Sequence, residues 1–113
     1  MPKVKYVLHV PLAYNDGTQI PADVLTEIEE QLFLLAGGYT IAGEGRGAYR
    51  MKSGEKQVDR SLQIWVVVDE DQEELLKDLV AKFAESLGQE SMYFERTNST
   101  IDFVPSSTQG DQS

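Results

Sequence analysis

The sequence has no cysteine and a single histidine, His9. Disulfides and thiolate metal sites are thereby excluded, and one imidazole cannot build a His-rich centre. Neither a metal nor a cofactor is expected. Cations are scarce as well: 10 Lys and Arg stand against 19 Asp and Glu, a net charge of -9. Such a field repels phosphate backbones and anionic headgroups, so neither nucleic acid nor a membrane surface is an expected partner. Long apolar runs are also missing, and no segment has the roughly 20 consecutive apolar residues that a bilayer crossing needs. The opening MPKVKYVLHVPL carries lysines and apolar residues, but they alternate and meet Pro11, unlike the core of a signal peptide. A cytoplasmic location is the expectation.

What is present suits one globular unit. A chain of 113 residues with 41% hydrophobic and 26% charged residues can build one core and is too short for two. Residues 1–104 read as a single domain. Residues 105–113, which have no apolar side chain after Val104, read as a disordered tail.

Hydrophobic period separates the elements. Val4, Tyr6, Leu8 and Val10 alternate with Lys5, Val7 and His9, the pattern of a strand with one buried face. Asn15, Asp16 and Gly17 supply turn chemistry. After Pro21, Val24, Leu25, Ile28, Leu32 and Leu35 recur at helical spacing, and Gly37-Gly38 forms a left-handed stop. Residues 39–51 read as a second strand, and 52–56 as a hairpin loop. A third strand follows, with Leu62, Ile64, Val66 and Val68 on its buried face. Asp69 or Asp71 can cap a second helix, striped by Leu76, Leu79, Val80, Phe83 and Leu87 and ended by Gly88. Residues 91–95 and 100–104 read as short strands or one bent strand. The order βαββαβ predicts an α+β, ferredoxin-like fold, an antiparallel sheet with two helices on one face. The other face is left to water, a ligand or another subunit.

Function centres on Gly43-Glu44-Gly45-Arg46-Gly47. A dinucleotide fingerprint needs its glycines in the turn from a strand into a helix, where the helix N-terminus meets the pyrophosphate. Here the glycines follow a helix, lie within a strand candidate and are spaced by two. A phosphate cradle is therefore disfavoured against a bent or bulged strand closely approached by a helix; a third reading is that the missing side chains leave room for a ligand. Simple alternation puts Gly43, Gly45 and Gly47 on one face with Ile41, Tyr49 and Met51, and Glu44, Arg46 and Arg50 on the other. Arg46 and Arg50 can pair with Glu44 and Asp59 across strands, or clamp a ligand carboxylate or phosphate. Trp65, with Val7 and Val67 nearby, reads as an anchor between subunits.

The segments GAYR, DRSLQIWVVVD, GQESMYFE and TNSTIDFV carry a resemblance covering roughly residues 37–104. They resemble a group of uncharacterised small bacterial proteins with G-x-W-R-like and GQESV motifs, and also the phage S-adenosylmethionine lyases. Resemblance to the lyases implies a trimer related in shape to the PII signalling proteins, with the ligand in a cleft between subunits. It further implies that Tyr49 and Asp59 stand where those enzymes place a tyrosine and a glutamate; aspartate shortens the reach by one methylene. Read without the resemblance, Tyr49 is a core aromatic and Asp59 a solvated strand-edge charge. Alternation places Tyr49 on the glycine face and Asp59 on the face opposite Leu62, so a bulge, a strong twist or a neighbouring subunit is needed to bring both to one cleft.

The expected function is a non-catalytic, oligomeric ferredoxin-like module that binds a small molecule or a partner protein. Gly43, Gly45, Arg46, Gly47 and Arg50 are the candidate ligand contacts. The alternative is a lyase-like enzyme acting on S-adenosylmethionine with Tyr49 and Asp59 as its catalytic pair.

Overall fold

The computed structural model describes residues 2–107, so residues 108–113, most of the expected tail, lie outside the described residues. Residues 105–107 are exposed and carry no regular structure. The elements run β1 (Lys3–Pro11), α1 (Ala22–Ala36), β2 (Thr40–Arg50), β3 (Lys56–Asp69), a 3-10 turn (Glu70–Gln72), α2 (Glu73–Ser86) and β4 (Phe94–Thr97). The strands form a four-stranded sheet in the order β2-β3-β1-β4, with every neighbouring pair antiparallel. This is the ferredoxin-like α+β fold.

Alternation in β1 turns Val4, Tyr6, Leu8 and Val10 inward, and β3 answers with Ile64, Val66 and Val68; all are buried. Ile28 and Leu32 of α1 and Leu76, Val80 and Phe83 of α2 pack onto the same side. Gly37 ends α1 at φ 78, the left-handed conformation that a residue without Cβ adopts freely, and its N–H caps the Phe33 carbonyl at 2.8 Å. Pro21 is the N-cap of α1, and its carbonyl accepts from the Leu25 N–H at 3.3 Å. Asp69 opens the 3-10 turn in a capping box with Gln72, whose Oε1 accepts from the Asp69 N–H at 3.2 Å.

The end of the chain departs from the expectation. Its strand is Phe94–Thr97, straddling the residues assigned to a strand and those assigned to a separator, and residues 100–104 form no strand. Pairing to β1 at Leu8↔Phe94 and Lys5↔Thr97 decides the register, together with a polar cluster that joins residues 90 positions apart. The buried Tyr6 hydroxyl donates to Glu73 Oε1 at 2.5 Å, and Arg96 Nη1 donates to the same carboxylate at 2.6 Å. Arg96 also pairs with Glu70, and the Tyr6 ring stacks on Phe94 with centroids 5.0 Å apart.

Burial, followed by the Glu73 carboxylate, pushes the Tyr6 phenol up to about 12 from an ordinary 10.0. A raised folded pKa means that this contribution to stability is whole below the unfolded value and is lost as pH rises from 10 through about 12. Tyr6→Phe removes the titration. The gap in melting temperature between wild type and Tyr6→Phe is therefore expected to stay level up to about pH 9.5 and shrink above it, measured by thermal melts across the alkaline range. A gap that widens there overturns the assignment.

Candidate functional site

The glycine strand is bulged. Ile41 pairs with Ile64, yet the next aligned partners are Gly43 and Gln63, so Ala42 is the extra residue. Gly43 accommodates this at φ 145, a region that side chains bearing Cβ rarely enter. The extra residue inverts the alternation downstream: Ile41 shares the helix-covered face with Ile64, whereas Gly43, Gly45, Gly47 and Tyr49 lie opposite Gln63, Ser61, Asp59 and Gln57 on the open face. The expected grouping of Ile41 with the three glycines is thus corrected. The expected bulge is present, but among the described residues the nearest atoms beside these glycines come from strand side chains and not from a helix. A Cβ on Gly45 would meet only Gln63 Nε2 at 3.3 Å, and one on Gly47 the Tyr49 hydroxyl at 3.3 Å.

Tyr49 is consequently no core residue. It is 45% exposed, and its ring lies back over Gly47, where a side chain would displace it. Gly47 is the cross-strand partner of Asp59. The phenol of Tyr49 and the carboxylate of Asp59 therefore rise from neighbouring backbone positions on one face.

β3 outruns β1. Pro11 pairs with Ser61, and the Leu12 N–H donates to the Arg60 carbonyl at 2.9 Å; beyond that base, Lys56–Asp59 pair only with β2 residues 47–50 and form a two-stranded arm. The molecule measures 55 × 27 × 22 Å. At the arm's base, where β1 stops, a cleft of about 340 Å³ opens between Tyr49, Asp59 and Ser61 on one side and residues 89–93 on the other, with His9 and Pro11 beneath. Its far wall is ordered by the His9 and Tyr93 rings, stacked at 4.2 Å and 12°. Tyr93 in turn donates to Glu95 Oε1 at 2.8 Å, which pushes its phenol pKa up. A longer bond of 3.3 Å from the Lys52 N–H to Glu90 Oε2 joins the arm's turn to that wall.

Two carboxylates, Asp59 and Glu90, and two phenols, Tyr49 and Tyr93, line the cleft; Arg50 is the one Lys or Arg among its lining residues. Gly43, Gly45, Gly47 and Arg46 are not part of that lining. The expected cross-strand pairs of Arg46 and Arg50 do not form among the described residues: Glu44 is taken by Arg60 at 2.6 Å, and Asp59 makes no ion pair. His9, Tyr93 and Glu90 were not expected at the site. Nothing local to His9 says that a residue 84 positions later stacks on it.

Trp65 stands on the open face opposite Val7, 39% exposed, with Lys5 Nζ 3.7 Å from its ring centroid. The described residues contain no cluster of three or more His, Cys, Asp or Glu fit to hold a metal ion, and no helix among them is long and apolar enough to cross a membrane.

The sequence matches no known family model and no curated protein. Its fold is similar to several solved structures. A phage S-adenosylmethionine lyase in complex with S-methyl-5'-thioadenosine superposes with a TM-score of 0.65 at 19% identity, over 85% of this chain and 81% of that one. CutA1 from the psychrotrophic bacterium Shewanella sp. SIB1 gives 0.66 at 14% identity, over 90% and 85%. The divalent cation tolerance protein CutA1 from Thermus thermophilus gives 0.60 at 16% identity, over 89% and 87%.

Proposed function

We propose that this chain is a homo-oligomeric, ferredoxin-like binding module whose cleft takes a small cationic molecule carrying a flat ring. The observation that carries the reading is the placement of Tyr49 and Asp59 side by side on the open face, across the cleft from Tyr93 and Glu90. Aromatic faces stack on a ring system, and carboxylates in a partly dry cleft attract a cation that water would otherwise hold. A volume of about 340 Å³ lies at the lower end of the range for small-molecule sites. Oligomerisation is supported by the exposed Trp65 and by an arm with no core beneath it, since a lone two-stranded hairpin is marginal in water. A trimer is the form that the lyase resemblance implies.

A second reading is favoured by the same pair of residues and by the similarity to the phage lyase. S-adenosylmethionine is a cation with a flat ring. In a lyase reaction its own carboxylate oxygen attacks the γ-carbon, the C–S bond breaks, and sulfur leaves as the neutral thioether with the electron pair, giving homoserine lactone and S-methyl-5'-thioadenosine. Asp59 would hold the sulfonium, and Tyr49 would orient the chain for an attack that gains from proximity alone.

Calorimetric titration with S-adenosylmethionine and with neutral S-methyl-5'-thioadenosine tests both readings. The cation is expected to bind, and Asp59→Asn to weaken it about tenfold, while changing the neutral compound less than about threefold. Chromatography of the incubated mixture separates binding from turnover: an unchanged cation supports the module, and homoserine lactone the enzyme. Absence of heat with either compound would sink the cleft assignment.

A further inference from the structure

Charge is unevenly placed in this acidic chain. Five of its ten cations, Arg46, Arg50, Lys52, Lys56 and Arg60, fall within residues 46–60, against only Glu55 and Asp59. The arm is therefore net +3, which leaves -12 for the rest of a chain totalling -9. Register concentrates the effect on one side. Arg46 faces Arg60 directly, Ala48 faces Val58, and Arg50 faces Lys56. Like charges directly opposite one another are unfavourable in a sheet. The arm's face away from the cleft is thus a basic frame around Val58, which is 65% exposed; Arg50, at its outer end, also borders the cleft. Among the described residues, only Arg60 of these cations makes an ion pair.

α1 presents the complement. It contains Asp23, Glu27, Glu29 and Glu30 and no cation. Asp23, Thr26, Glu27 and Glu30 are exposed in one stripe at helical spacing that runs into Phe33 and Leu34, 52% and 74% exposed. No ion pair joins this stripe to the arm within the described residues. We infer that the basic face of the arm docks on the acidic, apolar-ended stripe of α1 in a second copy of the chain. The two surfaces differ, so the contact is head-to-tail and propagates around a ring or along a stack. It is a separate contact from the Trp65 face and does not need the cleft to be occupied.

Charge exchange tests it. In Arg46→Glu/Lys56→Glu each new acid faces a retained cation, Arg60 or Arg50, so the hairpin's own pairing improves. Glu27→Lys/Glu30→Lys reverses the helix. Sedimentation is expected to show association weakened at least tenfold in either double variant, restored to within about threefold when the two are mixed or combined, and weakened in wild type between 50 mM and 1 M NaCl. Circular dichroism checks that each variant is folded. An arm variant that sediments as wild type, or a combination that fails to recover, overturns the inference. So does loss of retention of a single-stranded RNA oligonucleotide with unchanged sedimentation, which would make the arm a nucleic-acid contact. An assembly that survives charge reversal yet falls apart with Trp65→Ala refutes this contact and leaves the proposed module standing.

Discussion

Gly43→Val is expected to lower stability by about 1–3 kcal/mol, the cost of forcing a residue with Cβ into a sparsely populated backbone region. The bulge at Ala42 holds position 43 at φ 145, and a β-branched side chain is poorly suited there. The variant has two options. It keeps the bulge under strain, or it abolishes the bulge and sends residues 43–50 to the opposite face, taking Tyr49 away from Asp59. Gly45→Val is the contrast, because its Cβ meets only the far end of Gln63 at 3.3 Å. Gln63 can swing aside and valine favours strands, so the fold should lose less than about 1 kcal/mol. Urea unfolding of both variants decides the matter. Equal losses would mean that Gly45 is needed for close packing rather than for open space.

Trp65→Ala is expected to weaken self-association at least 30-fold, about 2 kcal/mol, the scale of a buried aromatic anchor. Within one chain the indole is covered only in part, by the Lys5 ammonium at 3.7 Å, and the ring lies outside the core cluster. The helix signal in circular dichroism should therefore hold while sedimentation moves towards monomer. If wild type already sediments as monomer at micromolar concentration, Trp65 is a surface residue and the oligomer proposal fails with it.

Elements whose signal is local were legible in the sequence. β1 and β3 could be read because every second side chain enters one core, and α1 because its stripe ends at a glycine able to take φ 78. What escaped depends on pairing between distant segments. Nothing near residue 94 shows that Phe94 meets Leu8 and stacks on Tyr6, or that Arg96 reaches Glu70 and Glu73. TIDFV has strand composition but pairs with no strand among the described residues, and propensity without a partner does not make a strand. For the site, glycine at positions 43, 45 and 47 announced an irregular strand. It could not announce which residue was extra, and that one residue determines whether Tyr49 and Asp59 share a face.

The strand order has a consequence for synthesis. β1 is translated first and lies inside the sheet, between β3 and β4, whereas the strand closing its second edge is translated last of the four. Until residues 94–97 have left the ribosome, Lys5–Leu8 carry unpaired backbone groups along that side, and Tyr6 has neither Phe94 nor Arg96 against it. A nascent chain halted before Phe94 is thus an open template for a foreign strand. Chaperone capture of stalled chains should peak just before that point and fall once Thr97 has emerged.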